Sequence, residues 1–206
     1  MLNFSHFIQI KHYFKVKQNN NINITSKLKS SKINIKGKNN YIKIENSNIK
    51  KSKIGIYGEN NILEIHHNCF IRNLDLMLIG NNLKVIIKNN CEIGGAIIVC
   101  AGENSSILIE ENCLLASNIE IRNNDGHTIL DNSNKILNNS KNIYISNNVW
   151  ICQNVKILKG VSIGPNSIIA LNTLITQGNY PSNVILAGSP AKIIKEKIYW
   201  KKDLPK

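Results

Sequence analysis

The sequence predicts an all-β fold, a parallel β-helix with three-sided coils, and two periodicities carry the prediction. Ile145, Ile151, Ile157, Ile163, Ile169 and Ile175 recur every six residues, and Val149, Val155, Val161, Ser167 and Thr173 follow the first five by four. A period of six fits neither the 3.6 of a helix nor the alternation of a flat strand. It fits one side of a triangular coil of about 18 residues, each turn stacked on the last. Upstream a longer unit repeats. Gly37, Gly58, Gly80 and Gly102 each open a G-x-N-x-x-x-x-I frame ending at Ile44, Ile65, Ile87 and Ile109, in units of 21, 22 and 22 residues.

Taken in order, residues 1–20 read as an irregular capping element and 21–176 as seven or so coils. In the longer units each repeat reads as one coil plus a short extra turn. Gly and Asn recur at its corner because they tolerate the positive φ of a sharp bend. The hexad phase then runs through Ile87, Ile93 and Val99, and again through Ile109, Leu115 and Ile121. The next step lands on His127, which takes the phase of an inward aliphatic, and 18 residues further lies Ile145. Between them a polar segment, Asp131 to Lys141, reads as a loop over 128–142, and inserted loops in repeat folds commonly lie on the binding face. Beyond Thr176 the pattern stops: the tail 177–206 holds the turn formers Gly178, Pro181, Gly188 and Pro190, then a stretch from Ala191 to Trp200 that reads as a short helix folding back on the prism.

With 206 residues the chain fits one domain of ordinary size. Hydrophobic residues at 42% with only 6% aromatics suit a core of stacked aliphatics. The net charge of +13 points to an acidic polysaccharide, an acidic membrane surface, a phosphate-rich cofactor or nucleic acid, or to lysines that only solubilise sheet edges. No basic stripe interleaved with aromatics accompanies it, which argues against sequence-specific nucleic-acid binding. The first 17 residues mix His6, Lys11, His12, Lys15 and Lys17 with Phe4, Phe7 and Ile8, unlike a secretory leader, and no apolar run approaches the ~18–20 residues that span a bilayer. The expected location is the cytoplasm, where the five cysteines are reduced. Cys69, Cys91 and Cys113, spaced by 22, belong to one inward column and form no local chelate, so no metal site is expected.

His127 is the candidate catalytic group. It follows Asp125-Gly126 at the break in the repeat. A neutral imidazole there can take a proton from an attacking hydroxyl without any nucleophilic Ser or Cys, while backbone N–H groups of the adjoining coil or loop stabilise the oxyanion. Asp125, Glu120 and a backbone carbonyl are alternative orienting groups for the ring.

The stretches DGHTILD, NIYISNNVWICQNVKILKGVSIGPNSIIALNTLIT and NVILAGSPAKIIKEKIYW together resemble the bacterial hexapeptide-repeat O-acetyltransferases of capsule, lipopolysaccharide and exopolysaccharide synthesis, relatives of the galactoside acetyltransferases. The resemblance covers about residues 85–200. It implies a left-handed β-helix, an exception to the usual right-handed crossover, and a homotrimer binding acetyl-CoA between neighbouring subunits. It further implies direct transfer of the acetyl group to a sugar hydroxyl of a glycan or its precursor, with an acidic polymer suiting the charge. By position, His127 matches the family's base. Trp150 matches the Trp that lines the active site, with Asp125 and Asn124 beside the acceptor. Gln153, Leu171, Thr176 and Gln177 match positions at acetyl-CoA, and Lys192 and Lys195 match basic positions near its phosphates. Departures occur at Cys152, at Ala170-Leu171-Asn172 in place of Gly-Ala-Gly, and at Gln177 in place of Lys. Alternative readings are N-acetylation of a nucleotide-linked amino sugar and a catalytically silent binding module. The metal-dependent carbonic anhydrase version of the fold needs three converging His, which His66, His67 and the distant His127 do not supply.

Overall fold

The protein is described by a computed structural model covering residues 2–3, 13–16 and 19–203. Its strands build three sheets of nine, nine and eight strands, the faces of one prism, parallel except for the last strand of the second. In a typical coil the chain passes along the first face (Tyr41–Ile44), the second (Asn48–Lys50) and the third (Lys53–Tyr57) before stacking the next coil at Ile62–Ile65. Alternation within each strand sends one side chain in and the next out. Ile42, Ile44, Ile49 and Ile56 are fully buried, and the six isoleucines of the hexad run reach 0% exposure. Each such side chain contributes roughly 1.5–3 kcal/mol through burial, and aliphatic residues stacked in register line the narrow interior.

The register records how the coils differ. Tyr41 pairs with Ile62, Ile62 with Lys84 and Lys84 with Ser106, whereas Ile145 pairs with Ile163 at the short step. The surplus residues of the longer coils form no extra turn. They lengthen the third face, where Leu74–Asn81 and Ala96–Glu103 pair over eight residues while Lys156–Ile157 spans two. Continuing the ladder satisfies more backbone groups than a free-standing turn would. The prism is therefore wider in its N-terminal half.

Asparagine holds the corners. Most non-glycine residues with positive φ are Asn, among them Asn118, Asn154 and Asn172, whose carboxamides bond one above another at 2.7 and 2.9 Å. Where the longer coils turn from the third face to the first, Asn61 is buried yet donates to the Gly80 carbonyl at 2.9 Å and accepts from Leu83 N at 2.9 Å, so its burial leaves no unmet polar group. At the neighbouring Gly58, with φ +134°, an added Cβ would lie 1.9 Å from the Gly80 carbonyl oxygen. The cysteine column lies inside as expected: Cys69, Cys91 and Cys113 are buried, and each Sγ donates to a carbonyl of the adjacent coil, that of Lys88, Glu110 or Ser146.

Both ends depart from expectation. Leu2–Asn3 pairs with Asn21–Ile24 strand residues and Tyr13–Val16 with Lys32–Ile35, so these pieces continue the coil; the rest of the expected capping element lies outside the described residues. The C-terminal helix is not formed. Ala191–Lys195 is a strand, antiparallel to Ile185–Gly188 at the edge of the second face. An open sheet edge offers its N–H and C=O groups to the passing chain, whereas an isolated helix of this length is marginal in water. The tail then folds back as expected: Ile198 N bonds Asn183 O at 3.0 Å. Among the described residues no helix is long and apolar enough to cross a membrane.

Candidate active site

The third-face strand Ile119–Arg122 ends at Asn123, which takes the fully buried corner slot. Its side chain donates to Ser105 Oγ at 2.8 Å and accepts from Ala101 N at 2.7 Å, and its carbonyl receives Lys141 N at 3.0 Å. The chain thus departs and returns side by side. The excursion comprises residues 124–140, starting earlier than the expected 128–142. His127 therefore leaves the inward phase on which its spacing lands and is exposed on the loop, as a base that must reach a substrate from solvent requires. Asn123 fills the corner with its hydrogen bonds met, and the turn that follows, with Gly126 N on Asn124 Oδ1 at 2.8 Å, sends the chain outward.

A small set of side chains gives the loop its shape. Asn138 Oδ1 accepts from Ile129 N at 2.7 Å, while its Nδ2 donates to the His127 carbonyl at 2.7 Å and to Asp125 Oδ2 at 3.0 Å. Asp131 Oδ1 accepts from Ser133 N, Ser133 Oγ and Lys135 N, closing the tip. From the coil below, the largely buried Lys159 reaches up to Asp125 Oδ2 and to the Asn138 carbonyl at 3.1 Å. The Lys159 ammonium, with Asn138 assisting against the cost of burial, holds the Asp125 carboxyl below the usual carboxylate range. Glu120 is held low in the same sense by Arg122, with Lys156 adding to it. Neither carboxylate considered as an orienter touches the imidazole, and among the described residues nothing holds the His127 ring by a hydrogen bond.

One chain divides the other site residues between two corners. Asn124, Asp125, His127, Thr176 and Gln177 gather where the third face meets the first. There Tyr180 OH donates to the Thr176 carbonyl at 3.0 Å, and Lys141 Nζ donates to Gln177 Oε1 at 2.6 Å. Gln153 and Leu171 stack, exposed, at the corner between the second and third faces, where Asn172 N donates to the Gln153 carbonyl at 3.1 Å. Lys192 and Lys195 are exposed on the antiparallel strand, Lys192 opposite Ala187 at the end of that corner. Trp150 belongs to the second face, its ring 5.8 Å from that of Trp200 at 42°. Trp200 Nε1 in turn donates to the Asn148 carbonyl at 2.8 Å, beside a cavity of about 240 Å³ that also meets Glu92, Leu114 and Lys202.

Two departures from the family pattern gain a structural reason. Asn172 adopts φ 58° and extends the asparagine ladder, doing the work of the usual glycine. Gln177 is the partner of Lys141 at the base of the loop. Cys152 is half-buried, and burial raises its thiol pKa. Lys159, Asn138, Lys141 and Trp200 escaped the sequence reading. Lys159 was the recoverable one: Ile121 pairs with Ile157, so residue 159 lies under Asn123, where the loop begins.

Comparison with known proteins agrees with this architecture. Residues 142–177 match the family described as bacterial transferase hexapeptide (six repeats). The solved structure of the polysialic-acid-specific acetyltransferase NeuO is 30% identical, with 92% of this chain and 85% of that chain covered and a TM-score of 0.78. The polysialic acid O-acetyltransferase OatWY is 30% identical, with 95% and 93% covered and a TM-score of 0.79. A mutant of the N-acyltransferase AntD from Bacillus cereus, 19% identical over 76% of this chain and 84% of that one with a TM-score of 0.52, shares the fold alone. No curated protein sequence matches significantly. The chain belongs to the bacterial hexapeptide-repeat transferases of left-handed β-helix type, in the branch of the polysaccharide O-acetyltransferases. It is an acyltransferase.

Proposed function

We propose that the protein is a cytoplasmic, homotrimeric O-acetyltransferase that uses acetyl-CoA to modify a hydroxyl of an acidic surface polysaccharide or its precursor. The observation that carries the reading is the exposed His127 ring, free of internal hydrogen bonds on a loop pinned by Asn138, Asp125 and Lys159. A neutral imidazole so placed accepts the proton of an acceptor hydroxyl as that oxygen attacks the donor's acyl carbon, then returns a proton to the departing thiolate. Acetyl-CoA supplies a thioester carbonyl and a good leaving group. Gln153 and Leu171, exposed on one corner, and the cationic Lys192 and Lys195 suit its pantetheine arm and phosphates, with Thr176 and Gln177 on the other corner. Those two corners lie apart on one prism, so the homotrimer reading places the second-third corner of one copy against the His127 corner of its neighbour. Trp150, in tilted contact with Trp200, offers an apolar surface for the acceptor or the pantetheine arm.

The acidic acceptor is supported by the charge of +13 and by polysialic acid as the polymer named for both relatives at 30% identity. Incubating the protein with acetyl-CoA and a panel of acidic and neutral glycans tests the reading. Thiol release that requires an acidic glycan, with the acetyl group then removed from the product by mild alkali, is the expected result. An alkali-stable product would assign an amide and N-acetylation. Absence of thiol release with every glycan would remove the enzyme reading of this site.

A further inference from the structure

The N-terminal coils carry a cluster of cations that the proposed site does not use. Lys29, Lys50 and Arg72 lie in register on three successive strands of the second face. Lys32 and Lys53 lie in register on the third face, and Lys51 turns the corner between them. Adjacent coils stand about 4.8 Å apart, and like charges directly opposite in a sheet destabilise it. Seven other cations have carboxylate partners, Lys38, Lys43, Lys88, Arg122, Lys156, Lys159 and Lys202; the cluster is distinguished by unpaired cations stacked in register on successive coils. Among the described residues none of the six cations of this cluster is in an ion pair. The one acid in register, Asp75 opposite Lys53, pairs with none of them.

We infer that this corner is a non-catalytic binding strip for an extended polyanion, an acidic polysaccharide, laid along the prism axis. The charges run across three coils on a convex edge, a shape suited to a polymer and not to a small anion. Phe70, the aromatic within the strip, is engaged by Lys50 at 5.3 Å and Arg72 at 5.2 Å. That leaves no free aromatic platform of the kind that stacks nucleobases. The corner is the same one that bears Gln153 and Leu171 further along the prism. A chain held here is kept at high effective concentration near the acyltransfer end. The choice of a glycan rests on the proposed function, while the existence of the strip rests on the unpaired cations.

The test measures binding of long-chain polysialic acid and polygalacturonic acid to the full chain, without acetyl-CoA, so that it does not depend on acyl transfer. The variant Lys29→Gln/Lys50→Gln/Arg72→Gln should bind long polymers about tenfold more weakly and with a shallower salt dependence. Lys29→Gln/Lys32→Gln/Lys53→Gln, which leaves the Phe70 contacts in place, should do the same. Removing three paired charges in Lys38→Gln/Lys43→Gln/Lys88→Gln should change binding by less than about twofold. Equal loss in all three charge variants, or no loss in the first two while they remain folded, would overturn the strip. Tighter, cluster-dependent binding of RNA or of vesicles rich in anionic lipid than of either glycan would overturn its assignment to a polysaccharide.

Discussion

Lys159 bonds Asp125 across 34 residues of sequence, from a corner of one coil to the root of the loop that leaves the coil above. The pair ties the loop to the rigid part of the molecule. Asp125 is two residues from His127, and Asn138 bonds both the Asp125 carboxylate and the His127 carbonyl. The position of the imidazole therefore depends on a contact between stacked coils more than on the loop itself.

This contact has a defined pH dependence. Asp125 is held below the usual carboxylate range in the folded protein, so its contribution is present above the unfolded pKa and is lost as pH falls through the folded one. Amide exchange in residues 124–140 should then be equally protected from about pH 8 to about pH 5 once corrected for intrinsic rates, and deprotected only in stronger acid. Lys159→Met should deprotect the loop across that whole range while the coil strands keep their protection. Loss of protection in the wild type already near pH 6 would contradict the role given to the pair.

The thiols should separate by burial. Cys69, Cys91, Cys100 and Cys113 are buried, and burial pushes the Cys100 thiol up to about 12. Cys152 alone is half-buried. A thiol reagent at neutral pH should modify no more than Cys152 in the folded protein and all five cysteines in denaturant. Prompt reaction of two or more in the folded state would show that the inner column is not closed.

Trp200 should anchor the tail. Trp200→Ala removes the tilted ring contact with Trp150 and the bond to the Asn148 carbonyl, together about 1–3 kcal/mol. Chemical denaturation should show that loss, and the emission of Trp150 should shift to the red as its ring is uncovered. An unchanged midpoint would mean that the strand Ala191–Lys195 holds the tail without help.

A core change sets the scale for these effects. Ile151 is fully buried in the hexad column, and Ile151→Ala should cost about 2–5 kcal/mol, measured by the same denaturation. A loss below about 1 kcal/mol would show that the coils collapse onto the space.

Much of this was legible in the chain because stacking in register turns sequence period directly into geometry. The six isoleucines, the cysteine column and the Gly-Asn corners all lie where their spacing put them. The phase located the break at His127 but not its first residue, because a period says nothing about where a chain leaves it. Asn123, with partners on both sides, ended the coil four residues sooner. Ala191–Lys195 read as a helix because its apolar residues suit one, but the pull of the second face's open edge is a tertiary effect. Lys159 and Asn138 were invisible as single polar residues, since only the fold puts them beside Asp125.

The most direct measurement is acetyl-CoA-dependent thiol release by His127→Ala beside wild type, with a long acidic glycan as acceptor. Because the ring is exposed and unbonded, the variant should match the wild type in thermal stability and oligomeric mass, while its turnover falls by about 10²–10⁴. Turnover equal to that of the wild type, in a variant shown to be folded, would contradict the assignment of His127 as the base.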